Sequence, residues 1–311
     1  MPEDSVTPTA APQITADRRM VLVHAHPDDE TIGTGATMAK YAAEGAHVTL
    51  VTCTGGEEGE ILIPDLEHLA AHHTDELAPQ RKVELADAMR ALGVTDHRYL
   101  GGFGKYRDSG MMGTEPNERP DAFWRADLTE AATDLVAVLR EVRPQVVVTY
   151  DQFGQYGHPD HIQAHRVATY AVALAAVASY RPDLGEAWDV PKLYWTALPV
   201  SYLQQGIDAM KAAGDTDFFG VDNAEDIPMA VPDELVTTVV DAREYEAAKL
   251  DAMRAHATQI TVDGPFFALS NNIGQQAMGV EFFRIAKGTA VRDGVDPFGA
   301  QREFDLFAGV A

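Results

Sequence analysis

An apolar run, RMVLV at residues 19–23, leads directly into the polar run HAHPDDE at residues 24–30. The apolar run predicts a short buried strand. The polar run places two imidazoles and three carboxylates in a turn, where Gly, Asn or Ser would suffice. Crowding these groups together costs solvation and charge repulsion, so the turn favours a bound cation.

A second group of the same kind lies far downstream. The run YGHPDH at residues 156–161 comes soon after the apolar run VVVTY at residues 146–150. In a parallel sheet, ligands bind at the edge formed by the carboxyl ends of the strands. The two His/Asp groups therefore predict one shared metal site.

Strand and helix patterns alternate from about residue 18 to residue 178. This alternation predicts an α/β fold, a Rossmann-like and mostly parallel sheet with helices on both faces. Strands are predicted at residues 20–23, 47–53, 97–100 and 146–150, and helices at residues 31–44, 75–92, 128–141 and 160–179. After residue 182 the pattern is weaker, with strands predicted at 193–198 and 235–240 and helices at 200–213 and 241–256.

These patterns divide the chain into three segments. Residues 1–17 are interpreted as a disordered leader, and because they lack the basic and apolar regions of a signal peptide, we expect a cytoplasmic protein. Residues 18–180 are predicted to form the Rossmann-like, metal-binding catalytic core. Residues 181–311 are predicted to form a smaller C-terminal lobe that completes the substrate pocket.

The chain of 311 residues is acidic, with 48 Asp and Glu against 24 Lys and Arg and a net charge of −24. This balance argues against nucleic acid or an anionic membrane as partners, because neutralising phosphates requires clustered cations. No stretch approaches the roughly 18 apolar residues of a membrane span. Its single cysteine, Cys53, excludes an intramolecular disulfide and is interpreted as a buried structural thiol. Nothing in the composition indicates an oligomeric state.

The candidate metal ligands are His26, Asp29 and His161. Two imidazole nitrogens and one carboxylate oxygen suit a catalytic Zn²⁺ site, where three protein ligands leave a position open. Fe²⁺, nickel, cobalt or manganese share these ligand types, so the set does not select the metal. Unrelated surface residues are the alternative, but the repetition of the pattern at two strand ends favours the metal.

Neighbouring residues are candidates for the chemistry. Asp28, next to the ligand Asp29, is placed to take a proton from the attacking water, although a helix N-cap is the alternative. His24 either lines the pocket or packs as a hydrogen-bonded histidine, and we prefer packing. Tyr156 and His158 are candidates to hold the oxyanion of an amide hydrolysis.

Asp160, the fourth candidate in the catalytic group, is predicted to hold His158 in its charged form. For Tyr156, the alternative is an exposed loop tyrosine between Gly154 and Gly157. Those glycines would also let the loop move, which would carry the tyrosine onto the substrate.

These motifs resemble the PIG-L/LmbE-like family of zinc-dependent N-acetylglucosamine deacetylases. Further segments resemble its actinobacterial mycothiol-biosynthesis branch, namely residues 52–60, 107–111, 150–161, 256–259 and 268–272. The resemblance implies hydrolysis of the N-acetyl group of N-acetylglucosaminyl-inositol, with one Zn²⁺ per subunit. It implies the same metal, base and oxyanion residues, with His158 also a candidate to protonate the leaving amine. It adds Glu60, Arg81 and Asp108 as contacts to sugar or inositol hydroxyls, although an exposed salt bridge is the alternative for each.

Two rival functions remain. A mycothiol S-conjugate amidase would use the same site on a larger substrate, but that branch of the family tends to carry Arg at the position of Glu58. A non-catalytic sugar-binding protein would not need Asp28 as a base beside intact ligands. The resemblance therefore favours the deacetylase.

Overall fold

Strands from both halves of the chain join one sheet in the computed structural model, which describes residues 17–212, 223–262, 279–297 and 299–310. The strands are β1 (Arg19–His24), β2 (His47–Thr52), β3 (Asp96–Tyr99), β4 (Val146–Thr149), β5 (Lys192–Pro199), β6 (Ala230–Val231), β7 (Thr238–Asp241), β8 (Val280–Lys287), β9 (Gly294–Val295) and β10 (Gln301–Arg302). The helices are α1 (Asp29–Ala43), α2 (Leu77–Ala91), α3 (Leu128–Val142), α4 (Gly154–Gly157), α5 (Pro159–Ala175), α6 (Val200–Ala212) and α7 (Glu246–Ala255).

The main sheet has the order β3-β2-β1-β4-β5-β8-β7, with β6 beside β5, and β9 and β10 pair separately. Its pairs from β3 through β5 are parallel, whereas β8 runs antiparallel to β5 and β7. This confirms the predicted α/β fold with a mostly parallel sheet. The antiparallel edge at β7 and β8 was not predicted.

Side chains of β1 are buried on both faces of the sheet, which explains the apolar run of residues 19–23. Val21 and Val23 pack into a layer with helices α3 and α5. Met20 and Leu22 pack into the opposite layer, against α1, α2 and α7. A strand covered on both faces has no polar side to expose, and this is typical of parallel sheets.

The segment after residue 180 adds β5, β7 and β8 to the sheet. The division of the chain there into a core and a lobe stays a prediction. The predicted strand at 235–240 begins only at Thr238, because a 3₁₀ turn occupies Asp233–Leu235. The predicted helix at 241–256 begins only at Glu246, after a second 3₁₀ turn. Most of the predicted leader lies outside the described residues, and none of the described helices is long and apolar enough to cross a membrane.

A buried polar cluster ties the end of the chain to this sheet. Glu303, which is fully buried, pairs with Lys192 Nζ at 2.5 Å. It also accepts hydrogen bonds from the hydroxyls of Tyr194 (2.6 Å) and Thr238 (2.8 Å). Glu303 thus neutralises a lysine that would otherwise be a buried, unpaired charge.

We expect Glu303→Gln to lower the free energy of unfolding by about 3–5 kcal/mol, because it leaves Lys192 charged and buried without a carboxylate. Urea denaturation measures the change. The control is Asp189→Asn, which removes the exposed partner of Lys287 and should cost less than about 1 kcal/mol. A similar small change for both variants would contradict the prediction.

Candidate metal centre and active site

The candidate site lies at the carboxyl ends of β1 and β4. These two strands are neighbours in the sheet. From β1 the chain continues to β2 and β3 on one side, and from β4 it continues to β5 on the other side, so the direction of strand order reverses between β1 and β4. At such a reversal the loops leave in opposite directions and open a crevice. The polar run 24–30 leaves β1 into α1, and the run 156–161 leads from β4 into α5.

The three predicted metal ligands meet in this crevice. His26 Nδ1 lies 3.1 Å from Asp29 Oδ2, and His161 Nε2 lies 3.3 Å from Asp29 Oδ1. Burial alone would raise the pKa of Asp29, but the two imidazoles hold it well below its usual range. One ring nitrogen from each of His26, His158 and His161 also lies within 4.8 Å of the other two, which places His158 within reach of the same ion.

The surroundings of these side chains fit a divalent cation. Among the described residues, neither ring nitrogen of the buried His161 makes a hydrogen bond, although Nε2 faces the Asp29 carboxylate at 3.3 Å. Leaving such a group unpaired is costly, and a cation beside Nε2 would satisfy it. On the other proposed ligand, His26 Nε2 lies 3.2 Å from Asp160 Oδ2, where a carboxylate favours a proton on Nε2, and Nδ1 faces the carboxylate of Asp29.

Asp28 lies at the pocket wall beside Arg81, whose Nη2 is 3.2 Å from Asp28 Oδ2. Burial raises the pKa of Asp28 to about 6, although Arg81 opposes the shift. Asp28 does occupy the N-cap position of α1, but its side chain makes no capping hydrogen bond. The carboxylate therefore does not serve as a helix cap, and a pKa near neutrality suits a general base.

The structure corrects the partner predicted for Asp160. Its carboxylate contacts His26 and accepts hydrogen bonds from the backbone and hydroxyl of Ser109, not from the His158 ring. Only its backbone amide reaches His158, donating to Nδ1 at 3.1 Å. The reason is geometric, because His158 is the N-cap of α5, and its ring accepts the backbone amide hydrogen of Asp160 in the first turn of that helix.

His158 is therefore a neutral donor in this arrangement. Burial lowers its pKa to about 3, and the neighbouring His26 and His161 add to the shift. Because Nδ1 accepts a hydrogen bond, a neutral ring carries its proton on Nε2. Tyr156, 43% exposed, has its ring centroid 5.0 Å from that of His161, at the mouth of the same pocket.

His24 is a packed histidine, as predicted. Its ring nitrogens contact the hydroxyls of Tyr150 at 3.2 Å and Thr34 at 2.9 Å. It also lines the pocket beneath the candidate ligands.

The family model described as GlcNAc-PI de-N-acetylase, PIG-L, matches residues 21–172. Two bacterial relatives are both named 1D-myo-inositol 2-acetamido-2-deoxy-alpha-D-glucopyranoside deacetylase. The Geodermatophilus obscurus protein is 61% identical over 96% of this chain and 99% of its own length. The Nocardioides sp. protein is 63% identical over 96% of this chain and 100% of its own length. The chain belongs to the PIG-L family.

Solved structures share the fold of this PIG-L chain. N,N'-diacetylchitobiose deacetylase from Pyrococcus horikoshii has a TM-score of 0.58 and 21% identity, covering 90% of this chain and 87% of its own. The 4-carboxy-2-hydroxymuconate hydratase GalB from Pseudomonas putida has a TM-score of 0.60 and 18% identity, covering 89% of this chain and 100% of its own. Since a deacetylase and a hydratase share the fold, the fold alone does not fix the reaction.

The residues predicted to contact substrate all line one pocket of about 620 Å³ in this PIG-L chain. Glu60 is exposed there, whereas Asp108 and Arg81 are buried. Arg81 donates to the carbonyls of Gly56 and Pro27, and a Cβ at Gly56 would collide with its guanidinium. A side chain at residue 56 would therefore have to displace Arg81, and the φ of 70° at this position also favours glycine.

Sequence reasoning missed a buried ion pair in the pocket wall, between Lys249 Nζ and Glu281 Oε1 at 2.7 Å. The helical spacing could have indicated the burial of this lysine. Lys249 lies three residues before Ala252 and four before Met253, so it shares the inward face of α7 with these two buried residues. Of the quoted motifs, residues 268–272 lie outside the described part of the chain.

Proposed function

We propose that this chain hydrolyses the N-acetyl group of 1D-myo-inositol 2-acetamido-2-deoxy-α-D-glucopyranoside, giving glucosaminyl-inositol and acetate in mycothiol biosynthesis. The observation that carries the proposal is the set of relatives named for this activity. They are 55–63% identical, and each match covers at least 94% of this chain. A cytoplasmic location stays a prediction of the sequence.

His26, Asp29 and His161 would hold the metal, which we propose to be Zn²⁺, with Fe²⁺ as the alternative. When bound, such an ion acts as a Lewis acid that polarises a carbonyl and makes water easier to deprotonate. The ring nitrogens of His161, which make no hydrogen bond among the described residues, and the Asp160 carboxylate beside His26 support this assignment.

The remaining chemistry falls to side chains around that position. Asp28 takes a proton from the attacking water while the water oxygen forms a bond to the acetamide carbon. Tyr156 and the Nε2 proton of His158 donate to the carbonyl oxygen, which gains negative charge at that moment. The carbon–nitrogen bond then breaks, acetate leaves, and the amine takes up the proton that Asp28 accepted.

The pocket wall suits a polyol. Carboxylates and a guanidinium bind hydroxyl groups through several hydrogen bonds, so Glu60, Arg81 and Asp108 are proposed to contact the sugar or the inositol. Residues after 180 also line the pocket, among them Thr196 and Lys249. Their position supports the proposal that the C-terminal segment completes the substrate pocket.

Release of free amine from two substrates tests the proposal. Metal-loaded protein is given N-acetylglucosaminyl-inositol and, separately, a mycothiol S-conjugate. We expect turnover of the first with a higher kcat/KM than the second. Preference for the conjugate would indicate the amidase, and tight sugar binding without turnover of either would indicate a non-catalytic binding protein.

A further inference from the structure

Asp28 has a backbone conformation that few side chains adopt. Its φ is 127° and its ψ is −34°, far from the left-handed region where aspartate is tolerated. Such a conformation costs free energy and persists only where the surrounding structure holds it. In this chain it belongs to the proposed general base, so what holds it bears on the reaction.

The peptide group between Pro27 and Asp28 is hydrogen-bonded at both its carbonyl and its amide. On one side the Arg81 guanidinium donates to Pro27 O and pairs with the Asp28 carboxylate. On the other side the Asp28 amide donates to Glu30 Oε2 at 2.9 Å. A carboxylate that accepts this amide hydrogen fixes the peptide plane, and with it the direction of the Asp28 side chain.

Glu30 is itself fully buried and needs a partner. His256 Nε2 lies 2.7 Å from Glu30 Oε1, and both side chains have 0% exposure. The Thr31 hydroxyl donates to the same oxygen at 2.6 Å. His256 follows α7 and lies 226 residues from Glu30 in sequence, so the far end of the chain supports this contact.

We propose that Glu30 and His256 are positioning residues, which hold Asp28 in its strained backbone conformation with its carboxylate at the pocket wall. The inference rests on the proposed function, because it assigns these residues to the base of that reaction. It gives a role to two residues of the quoted motifs that have none in metal or substrate binding. These are Glu30, the last carboxylate of the run 24–30, and His256, the histidine of the segment 256–259. Neither residue lines the pocket, so both act through Asp28.

The alternative is a buried ion pair that only stabilises the fold. Three variants separate the two. His256→Leu removes the donor and keeps an apolar side chain of moderate size, whereas His256→Gln keeps an N–H donor near the position of Nε2. The matched control is Arg302→Met, which breaks a buried pair with Asp296 (3.0 Å) in the β9–β10 ribbon.

For His256→Leu we expect kcat to fall roughly 10²-fold, the loss typical of a catalytic group displaced by about 1 Å. KM and metal content should stay close to those of the wild type, since the ligands and pocket wall are intact. His256→Gln should recover most of the lost kcat. Arg302→Met should lower the melting temperature but keep the wild-type kcat. Should leucine prevent folding, His256→Asn takes its place, because that amide is too short to reach Glu30.

A crystal structure of the His256 variant gives a readout independent of activity. We expect Asp28 to relax to a negative φ once Glu30 loses its partner. The inference would be overturned by a kcat within about twofold of the wild type, by an equal loss in Arg302→Met, or by an unchanged φ at Asp28. An inactive wild-type protein would instead contradict the proposed function, and the φ of the variant would still test the positioning role.

Discussion

Asp28→Asn is expected to lower kcat by roughly 10²–10⁴-fold, the contribution typical of a general base. Asparagine matches the size of aspartate and keeps one oxygen near Arg81, but it cannot accept a proton from the attacking water. Because the proposed metal ligands are other residues, we expect the metal content to stay unchanged. Steady-state kinetics with N-acetylglucosaminyl-inositol, together with metal analysis of the purified variant, measure both effects.

The control for this substitution is Asp296→Asn. Asp296 is also buried beside an arginine, with Arg302 Nε at 3.0 Å, but it lies in the β9–β10 ribbon and does not line the pocket. It should lose stability and keep the wild-type kcat. An Asp28→Asn protein that retains more than about one tenth of kcat would show that another group accepts the proton.

Strands β1, β2 and β4 could be predicted from sequence because nearly all their side chains are buried, whereas those of β3 are only partly buried. Such strands read as continuous apolar runs, as in residues 146–149, and they alternate with helices of clear period. The location of the site could be predicted from the same pattern, because polar runs that directly follow two adjacent parallel strands lie at the same edge of the sheet. The proposed ligands His26, Asp29 and His161 are therefore brought together by topology, which local sequence patterns reveal.

The antiparallel edge could not be predicted in the same way. Strand β8 pairs with β5 and β7, and its register with β5 shifts between Leu193 and Tyr194. Nothing local in residues 280–287 specifies those neighbours, because the pairing depends on contacts with segments about 40 and 90 residues away. Long-range pairing of this kind is set by the packing of the whole domain.

Side-chain partners inside the site were also beyond local reasoning. The carboxylate of Asp160 turns to His26 and Ser109, whereas its sequence neighbour His158 receives only the backbone amide. Contacts such as Glu30 with His256 join residues from opposite ends of the chain. Sequence spacing identifies which groups carry chemistry, but their pairing requires the coordinates.

His161→Ala is expected to abolish metal binding and activity together. Its two ring nitrogens make no hydrogen bond among the described residues, and Nε2 faces the Asp29 carboxylate at 3.3 Å. Besides its stacking on Tyr150, the side chain therefore contributes mainly a proposed metal ligand. Loss of a ligand weakens the site, and a chelator should likewise reduce wild-type activity to background until Zn²⁺ or Fe²⁺ is restored. Comparing the two ions in the restored enzyme tests which metal the site prefers.

Metal binding should also be visible without any substrate. An ion that binds only the folded state adds about 2.7 kcal/mol of stability at a hundred times its Kd. The melting temperature of the wild type should therefore rise with Zn²⁺, and that of His161→Ala should not. The matched control is His165→Ala, one turn further along α5, whose ring bonds to Tyr150 O at 3.0 Å and does not line the pocket. The two histidines share a helix and differ in what their ring nitrogens face. A melting temperature that rises with Zn²⁺ in His161→Ala, or that fails to rise in His165→Ala, would therefore contradict the assignment of His161 as a ligand.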